Sequence, residues 1–245
     1  AEGCNHRCAF CVIPTIRGKF RSRSMSSILQ EATRLRDQGV QEVAVIAQDT
    51  TAWGLDLGTN IVELLRELAA LDIPWIRLLY TYPTSISQEL LELLSNTPNL
   101  VKYVDLPLQH VAGNVLRRMG RPGDFTSNRR LIETIRTQVP GVTIRSSFIV
   151  GFPGETEEDF GELVRFLQMM RLDHVGIFQY SREEDSAAYD YPDQINPAIK
   201  ELRYQEAMSL QRQISAERNQ KLVGQQLQVL LDYPSEESDL VMIGR

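Results

Sequence analysis

All three cysteines of the chain fall within eight residues: Cys4, Cys8 and Cys11. The spacing is C-x3-C-x2-C, and a short loop of that kind can turn three thiolates toward one metal centre. One candidate is zinc, with His6 as fourth ligand in a Cys3His set. Another is a 4Fe-4S cluster, in which three cysteines leave one iron open to a substrate or cofactor. Zinc motifs usually bring two separated pairs, and no second pair is present, which favours the cluster. Chance grouping of structural or reactive thiols is the bland reading. An odd number of cysteines argues against a framework built from disulfides alone.

The elements that must hold this loop follow from the hydrophobic pattern. Short apolar runs at Val43 to Ala47, Trp75 to Tyr80, Tyr103 to Leu108, Val142 to Val150 and His174 to Phe178 read as buried strands. A sixth strand is expected to end just before Cys4. Amphipathic stretches lie between them. Ile28, Leu29, Ala32 and Leu35 share one helical face, with Ser26 or Ser27 as cap and Gly39 as stop. Val62 to Ala69, Leu90 to Leu94 and Leu131 to Val139 repeat the spacing. Thr156 and Asp159 form a capping box ahead of Phe160, Leu163, Val164 and Leu167.

Strand and helix alternate at about 30 residues per unit, the mark of βαβ units and a parallel sheet. Eight units would close a full barrel. Six predict an α/β fold, a partial (βα)6 TIM-like barrel with the cysteine loop at the strands' C-terminal end. Beyond Ser181 the pattern changes. A polar helix is expected from Ala198 to Leu222, with Leu202, Met208 and Ile214 as its apolar face. A β-hairpin follows, with Gln226 to Leu231 and Leu240 to Ile243 as its arms.

The chain has 245 residues, 42% hydrophobic and 24% charged, with a net charge of −6. This is ordinary globular composition, and the acidity argues against a whole-surface nucleic-acid binder. No apolar run approaches the roughly 18 residues of a membrane helix, so no membrane partner is expected. Charge is uneven. Arg7, Arg17, Lys19, Arg21 and Arg23 form one basic segment, and Arg117, Arg118, Arg121, Arg129 and Arg130 a second. The tail carries Asp232, Glu236, Glu237 and Asp239.

Cys4-Asn5-His6-Arg7-Cys8-Ala9-Phe10-Cys11 resembles the signature of the radical S-adenosylmethionine (SAM) superfamily, with Phe10 in the aromatic place. Glu2-Gly3-Cys4-Asn5, Pro14, Arg17-Gly18 and Ser22-Arg23 are similar to the methylthiotransferase branch. So are Gln48 to Gly54, Phe148 to Thr156 and Phe178 to Ser181. Leu106-Pro107-Leu108-Gln109-His110-Val111 resembles the RimO type, which modifies an aspartate of small-subunit ribosomal protein twelve. The MiaB type, which modifies an adenosine of tRNA, more often reads Pro-Val-Gln-Ser-Gly-Ser there. The acidic tail resembles the start of a TRAM domain and suits a basic ribosomal protein better than tRNA.

The resemblance implies a 4Fe-4S cluster on Cys4, Cys8 and Cys11, with SAM chelated at the open iron. A reduced cluster would cleave SAM to a 5′-deoxyadenosyl radical, which would take hydrogen from the β-carbon of the target aspartate. Phe10, Gln109, Arg145, Ser147, Ile149, Gly151 and Tyr180 are the candidate SAM contacts, Ile149 and Gly151 beside the adenine. For Gly151 the competing role is a tight βα turn, and for Tyr180 rim packing. His110 is a packing residue as readily as a ligand-binding one, and Glu183-Glu184 read as exposed loop carboxylates. Residues 1–222 are expected to be the radical SAM core and 223–245 the start of the TRAM-like element. Family members carry a further amino-terminal domain with three cysteines for a second 4Fe-4S cluster. The chain is therefore read as a piece of a longer protein, with the second cluster belonging to the full-length molecule. An electron donor and a reducing cytoplasm are the expected setting. The alternative from another class is a non-catalytic, zinc-stabilised binding module.

Overall fold

The computed structural model describes residues 1–244, so Arg245, the last residue of the expected tail element, lies outside the described residues. The elements run α1 (Ile13–Arg17), α2 (Met25–Asp37), β1 (Glu42–Val45), α3 (Ile61–Ala69), β2 (Trp75–Leu78), α4 (Gln88–Asn96) and β3 (Tyr103–Asp105). They continue with α5 (Gly113–Arg118), α6 (Phe125–Gln138), β4 (Thr143–Val150), α7 (Glu157–Met170), β5 (His174–Gln179), α8 (Pro197–Gln220), β6 (Leu231–Pro234) and β7 (Met242–Gly244).

Side chains alternate across a strand, and β4 shows what that does here. Ile144, Ser146, Phe148 and Val150 are buried, while Thr143, Arg145, Ser147 and Ile149 are only half-buried. The buried set faces the helices: Phe148 meets the edge of Phe166 on α7, which meets Phe125 at the start of α6. The other set faces the open, concave side. β1 pairs in parallel with β2, and β3, β4 and β5 pair in parallel with one another. Ile76 links the two groups, donating to Asn99 O and accepting from Val101 N at 2.8 and 2.9 Å. The strands thus lie in chain order, each followed by helix, as a partial barrel.

The sixth strand expected before Cys4 is not formed. Glu2 instead makes a single antiparallel bridge to Arg21, tying the start of the cysteine loop to its own end. β3 is shorter than expected because Pro107 cannot donate to a ladder. Ser146 fills the gap, with its hydroxyl donating to Leu106 O and accepting from Leu108 N.

Caps explain where the helices begin. The capping box of Thr156 and Asp159 is present, and a second joins Asp124 to Ser127. The cap of α2 is Ser24, not Ser26 or Ser27, because its hydroxyl reaches Ser27 N. The face of α8 also differs from expectation. Leu202 is 70% exposed, and Arg203, Ala207, Gln211 and Ile214 are buried. Arg203 and Gln211 satisfy polar groups of the barrel, so the inward face is set by hydrogen bonding as much as by apolarity. The terminal hairpin forms with β6 antiparallel to β7, a few residues later than read from the sequence. Among the described residues no helix is long and apolar enough to cross a membrane.

Candidate active site

The cysteine loop is pinned from several directions. Cys4 N donates to Gly18 O, Cys11 N to Cys8 O, and Ala9 N to Met119 O at 2.8 Å. Ala9 O in turn accepts from Ala188 N at 2.8 Å. Two glycines permit this closeness. A Cβ on Gly3 (φ +75°) would lie 2.2 Å from Lys19 O, and one on Gly120 (φ +67°) would lie 2.6 Å from Arg7 O. Both need the left-handed backbone that glycine adopts without cost.

Cys4, Cys8 and Cys11 line one cleft of about 180 Å³ at the C-terminal end of the strands. Phe10, Gln48, Tyr82, Gln109 and Arg121 are among the other residues around it. Burial pushes the Cys4 and Cys8 thiols up from their ordinary range, and for Cys8 the Arg121 guanidinium works against that rise. Arg121 lies 3.9 Å from Cys8 Sγ, donates to Pro107 O at 2.6 Å and stacks over the Tyr82 ring at 4.3 Å. His6 also stacks on Tyr82, at 3.6 Å and 5°, and its Nε2 is 2.7 Å from Asp49 Oδ2. The imidazole offered above as a fourth zinc ligand lines the same cleft, with its Nε2 held by Asp49 and its ring by Tyr82. Three thiols on one braced loop, with a guanidinium beside them, fit an anionic iron–sulfur cluster with one iron free of protein.

The predicted SAM contacts separate into groups. Phe10 and Gln109 line the cleft. Gln109 adopts φ +72° and bridges β4, its N donating to Ser147 O and its O accepting from Ile149 N. Ser147 and Ile149 thereby support the cleft through backbone on the concave face. Arg145 sits deeper, in another cavity with Tyr103 and His174. Tyr180 is buried in a second core cluster with Phe152, and Lys200 Nζ donates to its carbonyl at 2.8 Å.

Gly151 opens a turn closed by its own neighbours. Its N–H and that of Phe152 donate to the Glu155 carboxylate. A Cβ there would strike Lys200 Cγ at 2.4 Å, so a bulky residue at Gly151 would disturb α8 as well as anything bound nearby. Burial raises Glu155 to about 7, offset in part by Arg203, whose guanidinium is 3.3 Å away. His110 is fully enclosed, and burial lowers it to about 4. Its Nδ1 accepts from Ala112 N at 3.0 Å, which fixes the turn after Gln109.

Sequence reasoning placed Arg121 only in a basic segment and Asp49 only within the Gln48 to Gly54 resemblance, and gave Tyr82 no role. Their contacts with the loop are long-range, Asp49 and Tyr82 coming from beyond β1 and β2 and Arg121 from between α5 and α6.

Curated relatives match the whole chain, among them two at 48% identity. Each is called ribosomal protein uS12 methylthiotransferase RimO. The one from Desulforamulus reducens is 48% identical over 248 residues, and the one from Prochlorococcus marinus is 48% identical over 247. The match covers 56% and 52% of those proteins, so the chain spans about half the length of the relatives it matches. Among solved structures, the radical SAM enzyme coproporphyrinogen III oxidase of Escherichia coli superposes with a TM-score of 0.61. It is 18% identical, and the match covers 87% of this chain and 51% of that one. The family description "Radical SAM superfamily" matches residues 1–167, from the cysteine loop through most of α7. With its thiols gathered at the C-terminal mouth of a partial parallel barrel, the chain belongs to the radical SAM superfamily.

Proposed function

We propose that the protein is the catalytic core of a RimO-type methylthiotransferase, which adds a methylthio group to the β-carbon of an aspartate in small-subunit ribosomal protein twelve. The observation that carries this is the three-thiol cleft in a chain 48% identical, over its whole length, to proteins of that name. Cys4, Cys8 and Cys11 would hold a 4Fe-4S cluster. Bound there with SAM, it supplies one-electron cleavage of the sulfonium and a carbon radical able to take hydrogen. The rest is positioning. Phe10 and Gln109 wall the cleft, the backbone of β4 supports Gln109, and the Gly151 to Glu155 turn shapes the rim. Keeping water and stray hydrogen donors from a reactive species is the other task of such a site.

Residues 1–222 form the core in this reading, and 223–245 begin a TRAM-like element. Glu236, Glu237 and Asp239 are exposed in the loop between β6 and β7. Their field, screened over about 8 Å at physiological salt, would steer a basic ribosomal protein. The second basic segment gives phosphates less than its composition suggests. Arg121 points into the cleft and Arg118 lies over the Tyr191 ring. The first segment supports the runner-up, a MiaB-type tRNA enzyme, because Arg7, Arg17, Lys19 and Arg21 are exposed. The cytoplasm is the setting this chemistry needs, with a reducing electron donor.

The deciding experiment uses the full-length enzyme, reconstituted anaerobically and given SAM, reductant and either ribosomal protein twelve or tRNA. A methylthio mass increment on an aspartate-containing peptide is expected. Modification of tRNA adenosine, with the ribosomal protein untouched, overturns the reading.

A further inference from the structure

Toward the N-terminal ends of the strands, away from the cysteine cleft, the concave face opens into a cavity of about 660 Å³. Its floor holds two guanidiniums over two carboxylates. Arg77 Nε donates to Glu42 at 2.7 Å, and the Arg77 guanidinium lies over the Tyr103 ring at 4.7 Å. Arg145 faces Asp105 at 3.6 Å. That separation exceeds hydrogen-bonding distance, so the pair is Coulombic and the donors of Arg145 are not committed to Asp105. The Asp105 side chain is 2% exposed and that of Arg145 is 40% exposed. The carboxylate therefore lies behind and the guanidinium presents its N–H fork to the cavity.

The strand register places this fork relative to the mouth. Asp105, Arg145 and His174 are neighbours across three strands. Three residues further along β4, Phe148 pairs with Gln109, which lines the cysteine cleft. Three residues of strand rise about 10 Å, and an extended arginine covers much of that distance. An anion gripped by Arg145 thus sits beneath the cleft, inside the barrel.

We propose that Arg145 is the carboxylate-recognising residue for the substrate aspartate, an inference that rests on the RimO-type reading above. An aspartate carboxylate is bonded directly to the β-carbon. A two-point grip on it by the planar guanidinium fixes that carbon's position and orientation with no further contact. Arg77 is neutralised by Glu42, which leaves the Arg145 fork as the group open to an anion. The grip also rejects an amide: asparagine cannot satisfy the charged fork, and a site built on hydrogen bonding to one group discriminates strongly against its analogue.

The test uses the full-length holoenzyme and a ribosomal protein twelve substrate carrying either the native aspartate or asparagine at the modified position. Wild type should prefer aspartate by about a hundredfold or more in kcat/KM. Arg145→Gln should lower kcat/KM on aspartate by about the same factor, mostly through KM, and erase the preference. SAM affinity and the cluster's spectrum should not move. Arg145→Lys, which keeps the charge but not the fork, should fall between. Wild-type kinetics in Arg145→Gln overturn the inference and leave the RimO-type reading standing. A parallel loss of SAM affinity overturns it too, assigning the side chain to the cofactor. Should Arg145→Gln fail to fold, equal wild-type rates on the two substrates overturn the inference. If the wild type modifies tRNA instead, the underlying reading itself falls.

Discussion

The guanidinium of Arg121 lies 3.9 Å from Cys8 Sγ, although 113 positions separate the two residues. The same group is fixed by Pro107 O and by the face of Tyr82. A cation held in this way favours negative charge on the sulfur, and hydrogen bonding to cluster sulfurs is one of the means by which a protein sets a cluster's potential. Arg121→Gln should make the cluster harder to reduce. A charged hydrogen bond is worth about 1.5 kcal/mol, roughly tenfold in the reduction equilibrium, or about 59 mV for one electron. A redox titration followed by electron paramagnetic resonance checks this, and an unchanged midpoint refutes it.

Gly3 and Gly120 should each resist replacement by alanine. A Cβ at either site strikes a carbonyl oxygen of the neighbouring segment, at 2.2 and 2.6 Å, from a left-handed backbone. The backbone strain alone costs about 1–2 kcal/mol. Gly3→Ala and Gly120→Ala should lower both the melting temperature and the iron retained after reconstitution. Gly39→Ala, also at positive φ but with open space around its Cβ, should leave iron content unchanged.

His110 gives a pH signature. It is fully buried and lowered to about 4, against about 6.5 in an unfolded chain. Between these values the unfolded state binds more protons, so this residue's contribution is whole above pH 6.5 and is lost as pH falls toward 4. His110→Asn keeps an acceptor for Ala112 N through an Asx turn but removes the titration. Urea midpoints at pH 7.5 and pH 5 should differ less in the variant than in the wild type. Equal differences would show that the imidazole is accessible to protons in the folded state.

Glu155 has the opposite sign. Its carboxyl is raised to about 7 by burial, so its contribution is whole below about pH 4.5 and is lost as pH rises through 7. Arg203→Met removes the guanidinium that partly compensates it. Breaking a buried pair from one side costs about 3–5 kcal/mol, and the loss should extend to higher pH. Adding Glu155→Gln to that variant should flatten the profile. A double variant as steeply pH-dependent as Arg203→Met alone would place the titration elsewhere.

What could be read from the sequence divides along the range of the interaction. The Thr156 and Asp159 box was legible because both partners sit within one helical turn. That the three thiols share one cleft was legible because they sit on one short loop, whose spacing stays visible in the chain. Arg121 was not, since only the folded barrel brings residue 121 to residue 8. The face of α8 was misread for a related reason. Counting apolar residues selects Leu202, whereas the buried positions include Arg203 and Gln211, whose partners are Glu155 and the Leu172 carbonyl. Arg145 was read as a SAM contact, and only the register shows that it lies three residues below the Gln109 level, in a separate cavity.

The two hydrogen bonds of Ala9, to Met119 and from Ala188, have a meaning for the order of events in synthesis. The cysteines leave the ribosome well before either brace exists. Until Ala188 has been made and the chain has doubled back, the loop lacks one of its two braces. Long-range closure of this kind is slow relative to local helix formation. A cluster held by Cys4, Cys8 and Cys11 would therefore meet a loop braced on both sides only once the chain through Ala188 is complete.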